Sequence, residues 1–191
     1  MPSIPRGILF AVLLTLPLAM PILSVNRPGA VVAAGLPRPA PAFTRTDASG
    51  WINSPPLAWT DLRGSVTLLE VWTWGCWNCT RSIPWIKDVQ TRLGPRGLRV
   101  VAIHSPEFEH EKDPATVRAK VREFGLDYPV MLDDDFRYWR ALDNRYWPAF
   151  HLIDKTGRIR AVHVGETHAG TPQARAVEEV LEALLAEPSP P

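Results

Sequence analysis

From residue 66 onward, short apolar runs alternate with segments whose apolar residues recur at helical spacing. Residues 66–72, Val-Thr-Leu-Leu-Glu-Val-Trp, lack polar alternation and predict a strand buried on both faces. Residues 98–103 repeat this pattern. Between the two runs, apolar residues at helical spacing predict a helix that Gly94 and Pro95 end: Ile83, Ile86, Val89 and Leu93. The first half of the domain is therefore predicted to run β-α-β.

The second half of the chain shows similar signals. Asp113 and Pro114 provide the N-cap and first-turn residues of a helix that Gly125 ends. A turn at 154–157 joins two predicted strands into a hairpin. The other predicted elements are strands at 130–132, 149–153 and 159–164, a short helix at 136–142 and a last helix that Thr171 caps. Helices alternating with strands before a final hairpin predict an α/β fold with a mixed central sheet.

Composition limits the possible architectures and partners. The chain has 191 residues, enough for one domain with extensions. Apolar residues make up 46% and charged residues 21%, which argues against intrinsic disorder. The formal net charge is +1, so the sequence gives no broad electrostatic basis for binding nucleic acid.

The N-terminal segment differs from the rest of the chain. Arg6 precedes an uncharged, mostly apolar stretch at 7–25, and prolines concentrate after it. We expect residues 1–25 to be a cleaved signal peptide or a membrane anchor, and both alternatives remain open. Residues 26–42 are predicted to be a proline-rich linker, 43–187 the folded domain and 188–191 a flexible tail. These features predict a periplasmic or otherwise extracytoplasmic protein.

The two cysteines, Cys76 and Cys79, are three positions apart, directly before the first predicted helix. In a helical first turn this spacing allows a disulfide to open and close without refolding. The helix N-terminus favours a thiolate, so Cys76 is predicted to attack and Cys79 to resolve the mixed disulfide. An inert disulfide is less consistent with so short a ring, which removes little unfolded-state entropy. No histidine lies at metal-ligand spacing, so we expect no metal site.

Three motifs resemble those of thioredoxin-like domains of the TlpA type, most closely the redoxin-family domains of DipZ-type proteins. They are Thr-Trp-Gly-Cys-Trp-Asn-Cys at 73–79, Ser-Pro-Glu-Phe at 105–108 with Glu-Lys-Asp-Pro at 111–114, and Asn-Arg-Tyr-Trp-Pro-Ala at 144–149. The resemblance implies a thioredoxin-like fold and a thiol-disulfide oxidoreductase that acts on protein cysteines. It implies no cofactor beyond the redox-active disulfide. It also implies a separate membrane electron donor of the CcdA or DsbD type.

The resemblance assigns roles to further residues. Glu70, on the first buried strand, corresponds to the acid that relays a proton for the second cysteine. Burial raises the pKa of such a carboxyl group toward neutrality. Trp147 and Pro148 correspond to the cis-proline loop that faces the cysteines and pairs with an extended substrate segment. Trp74, Trp77 and Trp147 are expected to form an apolar substrate-binding rim around Cys76.

Other readings of the sequence predict different chemistry. A thiol peroxidase would match Thr73 before Cys76, but Leu69 stands where peroxiredoxins place a proline. A metal-binding or chaperone module is a third alternative. Ser82 occupies the position where cytochrome-maturation relatives carry a glutamate, which argues against a haem-maturation role. The acidic run at 133–135 is expected to be a solvated turn that caps a helix.

Overall fold

The computed structural model describes residues 37–190. Its strands form one mixed sheet in the order β1-β7-β6-β3-β4-β5-β2. Strands β3, β4 and β5 run parallel, and the other neighbouring pairs are antiparallel. The strands are β1 (Arg38–Pro39), β2 (Trp51–Ile52), β3 (Val66–Trp72), β4 (Leu98–His104), β5 (Val130–Leu132), β6 (Ala149–Ile153) and β7 (Arg158–Val164). The helices are α1 (Trp59–Leu62), α2 (Trp77–Leu93), α3 (Pro114–Glu123), α4 (Arg137–Ala141) and α5 (Pro172–Ala186).

The central strand β3 separates two hydrophobic cores. All seven of its residues are buried, because β4 and β6 flank it and both of its faces are covered. Leu68 and Trp72 lie in the core that contains the apolar residues of α2, α3 and α5. Leu69 and Val71, which point to the opposite face, lie in the core with α1 and α4.

The predicted α/β architecture with a mixed sheet is confirmed. The strands expected at 66–72, 130–132 and 149–153 have the predicted bounds, and the other two predicted strands each gain one residue. The edge strands β1 and β2 were not predicted, since two residues are too few to show a period of two.

The structure describes only part of the N-terminal segment for which predictions were made. The segment 1–25, expected to be a signal peptide or an anchor, lies outside the described residues. Strand β1 belongs to the segment 26–42 that was expected to be a linker, and it pairs with β7. The sheet therefore extends into the predicted linker. Among residues 37–190, no helix combines the length and the apolar character needed to cross a bilayer.

Candidate active site

The cysteine pair lies where the chain leaves the central strand and enters α2. Cys76 is the N-cap residue of α2, and its Sγ accepts a hydrogen bond from the backbone N–H of Cys79 at 3.2 Å. The two residues form a disulfide, with their Cα atoms 5.3 Å apart. Cys76 has 9% of its surface exposed to solvent, whereas Cys79 is fully buried. Of the two cysteines, only Cys76 keeps any exposed surface.

An open groove of about 420 Å³ runs past Cys76. Its charged lining residues have opposite signs, Glu107 and Arg145. Two aromatic side chains on its rim are largely exposed, Trp77 at 71% and Tyr146 at 61%. The groove therefore combines apolar surface with charge beside the accessible sulfur.

The loop before β6 forms the other wall of this groove. The Trp147–Pro148 peptide bond is cis, as the resemblance predicted. The indole N–H of Trp147 donates to the carbonyl of Ser105 at 2.9 Å, and its ring lies 4.2 Å from that of Trp139. The carbonyl of Pro148 accepts from the N–H of Gly165 at 3.0 Å. These contacts fix the loop on both sides of the peptide bond and place Trp147 against the groove.

The acidic run at 133–135 differs from the expected solvated turn, because Asp133 is fully buried. Its carboxylate accepts hydrogen bonds from the N–H groups of Tyr138 and Trp139 in α4, so the expected helix-capping role holds. It also accepts from the hydroxyl of Ser105 at 2.9 Å. Asp133 thus connects α4 to Ser105, whose carbonyl accepts the hydrogen bond from the indole of Trp147.

Glu70 lies in the middle of β3 and is fully buried. Side chains two positions apart share a face of a strand, so Glu70 lies on the face of Leu68 and Trp72, whose core also contains Cys79. Desolvation raises the pKa of Glu70 to about 8, and the hydroxyl of Tyr128 partly opposes this rise. The carboxyl group of Glu70 and the hydroxyl of Tyr128 form no hydrogen bond with each other, so their interaction is weak. The carboxyl group is therefore mostly protonated at neutral pH.

The structure brings four of the predicted site residues to the groove or next to it: Cys76, Trp77, Trp147 and Pro148. It does not bring Trp74 into the groove lining; that ring packs edge-on against His110, with the ammonium of Lys120 at 5.7 Å. Glu107, Arg145 and Tyr146 line the groove but were not singled out. Their only signal in the sequence was membership of the motifs at 105–108 and 144–149.

Ser82 serves a structural purpose one turn after Cys79. Its hydroxyl donates to the carbonyl of Asn78 at 2.8 Å and accepts from the N–H of Thr167 at 3.0 Å. It thereby ties the first turns of α2 to the loop after β7. Within residues 37–190, no three His, Cys, Asp or Glu side chains are grouped so that they would hold a metal ion.

Comparison with protein families identifies this arrangement. The redoxin family model matches residues 37–181, which include the whole sheet and the cysteine pair. The chain belongs to the redoxin family. The predicted family and the predicted thioredoxin-like fold are confirmed.

Relatives with known names agree with this assignment. DipZ of Mycobacterium tuberculosis is 39% identical over 121 residues, which cover 62% of this chain and 17% of that protein. The thiol-disulfide oxidoreductase YkuV of Bacillus subtilis is 28% identical over 130 residues, covering 68% of this chain and 86% of that protein. The crystal structure of a thiol-disulfide isomerase from Corynebacterium glutamicum superimposes with a TM-score of 0.63 at 26% identity. That superposition covers 78% of this chain and 98% of the other. The enzyme class predicted from the cysteine pair, thiol-disulfide oxidoreductase, is the one that YkuV carries in its name.

Proposed function

We propose that this redoxin is an extracytoplasmic thiol-disulfide oxidoreductase that exchanges disulfides with cysteine-containing proteins. The observation that carries the proposal is the asymmetry of the pair: Cys76 caps α2 beside an open groove, and Cys79 is fully buried. A thiolate at a helix N-terminus is stabilised by the positive end of the helix dipole. Cys76 is therefore the attacking sulfur, and Cys79 acts only after a partner is bound.

The reaction with a substrate disulfide has two exchange steps. In the first, the Cys76 thiolate attacks one substrate sulfur, the substrate S–S bond breaks, and the other substrate sulfur leaves as a thiolate. In the second, the Cys79 thiolate attacks Cys76 within the mixed disulfide, and the substrate leaves with its second thiolate. Two electrons pass from the cysteine pair to the substrate, and the same steps in reverse oxidise a substrate dithiol.

The ionised fraction of Glu70 accepts the proton that Cys79 loses before the second step, and the protonated form returns it when the reaction runs in reverse. A carboxyl group with a pKa of about 8 can exchange a proton with a thiol near neutral pH. Its place on the same core face as Cys79 supports this role, because a buried thiol has no direct route to bulk water. The Trp77 ring and the Trp147 loop hold the substrate segment beside Cys76.

Location and electron supply complete the proposal. The apolar stretch at 7–25 supports export across a membrane, either with cleavage or with retention as an anchor. A redoxin that has reduced its substrate needs two electrons to be reduced again. The resemblance of its motifs to DipZ-type domains supports a membrane donor of the CcdA or DsbD type.

Trapping the mixed disulfide tests the proposal. In Cys79→Ser the resolving thiol is absent, so complexes between Cys76 and partner proteins should accumulate and disappear on reduction. They are read on non-reducing gels after acid quenching, with partners identified by mass spectrometry.

The matched control is Cys76→Ser, which keeps Cys79 but lacks the cysteine that lines the groove. This variant should trap nothing, because Cys79 is fully buried. Equal trapping by both single variants, or none by either, would contradict the assignment of Cys76 as the attacking residue.

A further inference from the structure

The motif that follows β4 places a second buried acid next to the cysteine pair. Glu111 ends a single 3₁₀ turn, Glu109–Glu111, and its side chain is fully buried. The other glutamate of that turn, Glu109, is exposed. Burying an ionisable side chain is costly unless it is hydrogen-bonded, so the position of Glu111 calls for a specific explanation.

One oxygen of Glu111 is saturated with donors. Its Oε2 accepts from the hydroxyl of Thr73 at 2.8 Å and from the backbone N–H groups of Glu107 at 2.6 Å and Phe108 at 3.2 Å. The Thr73 oxygen also lies 3.2 Å from Nε2 of His104. Because the Thr73 hydroxyl donates its hydrogen to Glu111, Nε2 of His104 is the donor in this second contact. Three donors converge on this one oxygen, an arrangement that suits a carboxylate, whose oxygens act only as acceptors. Glu111 thus joins the ends of β3 and β4 to the loop that lines the groove.

The other oxygen of Glu111 points at the active-site segment. Its Oε1 is buried and has no hydrogen-bond partner. It lies 1.9 Å from the position that a Cβ atom on Gly75 would occupy, so any side chain at residue 75 would clash with this oxygen. Glycine is therefore required at the residue directly before Cys76, because it lets the carboxylate approach the backbone there.

We propose that Glu111 is a positioning residue that fixes the segment 73–76 and whose negative charge disfavours the thiolate of Cys76. This inference deepens the oxidoreductase function proposed above and rests on it. The helix dipole of α2 stabilises the thiolate, and the carboxylate behind Gly75 acts in the opposite sense. Their balance sets how readily the reduced enzyme gives up its electrons, since stabilising the thiolate stabilises the reduced form.

Other charged groups surround this segment. His104 stays neutral above acidic pH, because burial lowers its pKa to about 3. Lys120 of α3 and His110 contact Trp74. Glu107 and Arg145 line the groove with opposite signs. Glu111→Gln leaves the charges of all five groups unaltered, so the variant removes one negative charge and no other.

The test is the thiol pKa of Cys76 in Glu111→Gln, which keeps the shape of the side chain but removes the charge. The pKa is followed by thiolate absorbance in the reduced protein. We expect a fall of about one pH unit, a tenfold change in the thiolate-to-thiol ratio. A tenfold change in the exchange equilibrium corresponds to about 30 mV, so the reduction potential should become less negative by up to that amount.

Two variants separate charge from structure. Glu109→Gln, in the same turn but exposed, should leave the thiol pKa and the potential at their wild-type values. Glu111→Asp keeps the charge and should remain closer to wild type than Glu111→Gln. The inference fails if Glu111→Gln folds and keeps the wild-type thiol pKa, or if Asp and Gln shift it equally.

A measurement on the unaltered protein covers the case in which Glu111→Gln does not fold. If the two groups interact, the assigned ¹³C carboxyl resonance of Glu111 in reduced protein should report the titration of Cys76 and lose that step in oxidised protein. Its absence in reduced protein would overturn the inference. If the wild-type enzyme exchanges disulfides but Glu111 and Cys76 show no interaction, the role of Glu111 is rejected and the proposed function stands. Absence of exchange would reject the function itself.

Discussion

The buried carboxyl group of Glu70 should make the stability of this redoxin fall as the pH rises. Its pKa is about 8 in the folded protein, against 4.5 for an ordinary glutamate. Below pH 4.5 both the folded and the unfolded chain hold the proton, so folding carries no penalty from this group. Between pH 4.5 and about 8 the unfolded chain releases the proton while the folded protein keeps it. The stability present at acidic pH is therefore lost over this window.

The size of the loss follows from the number of protons exchanged. One proton bound only by the folded state lowers the free energy of unfolding by about 1.4 kcal/mol per pH unit. Between pH 5 and pH 8 the total is about 4 kcal/mol, a large part of the 5–15 kcal/mol typical of a domain. In Glu70→Gln this contribution is absent, so the variant should gain stability relative to wild type by about that amount over the same range.

Guanidinium unfolding of the oxidised proteins at pH 5, 6, 7 and 8 measures this difference. Subtracting the two curves removes the titration of all other groups, which wild type and Glu70→Gln share. The exposed Glu179→Gln on α5 is the matched control and should follow wild type at every pH. A difference between wild type and Glu70→Gln that stays constant from pH 5 to pH 8 would refute the idea that Glu70 holds a proton in the folded protein.

Two further predictions concern the cysteines and the N-terminus. In reduced protein, a small alkylating agent should label Cys76 well before Cys79, because Cys79 has no exposed surface; labelling is read by peptide mass spectrometry, and the reverse order would contradict the assignment. Residues 1–42 fused to alkaline phosphatase, which is active only after export from the cytoplasm, should give active enzyme, and the same fusion without residues 1–25 should not. Equal activity of the two fusions would reject the export role of residues 1–25.

Sequence patterns predicted most of the fold because its central elements carry strong local signals. Strand β3 is mostly apolar and shows no polar alternation, and α5 has a capping threonine, a first-turn proline and a regular apolar face. The edge strands β1 and β2 have no such signal, since each consists of only two residues. Their place in the sheet depends on partners distant in the chain, which periodicity does not reveal.

The candidate site was predicted where chemistry depends on spacing along the chain. The cysteine pair and Glu70 follow from local sequence and the resemblance together. The groove residues Arg145 and Tyr146 become neighbours of Cys76 only through the packing of the loop before β6. Asp133 was misjudged for the same reason: three consecutive acids indicate a solvated turn, but the hydroxyl of Ser105 is a partner from another strand end.

In the mechanism proposed above, Glu70 acts on Cys79 and Glu111 acts on Cys76. Glu70 shares a core face with Cys79, and its burial among apolar residues keeps it protonated at neutral pH. Glu111 lies next to Gly75, the residue before Cys76, and one of its oxygens accepts three hydrogen bonds. A carboxyl group whose pKa lies near neutrality can both take up and release a proton, whereas a charged carboxylate changes the energy of a nearby thiolate. Two glutamates of equal ordinary acidity thus acquire different roles because one has hydrogen-bond donors and the other does not.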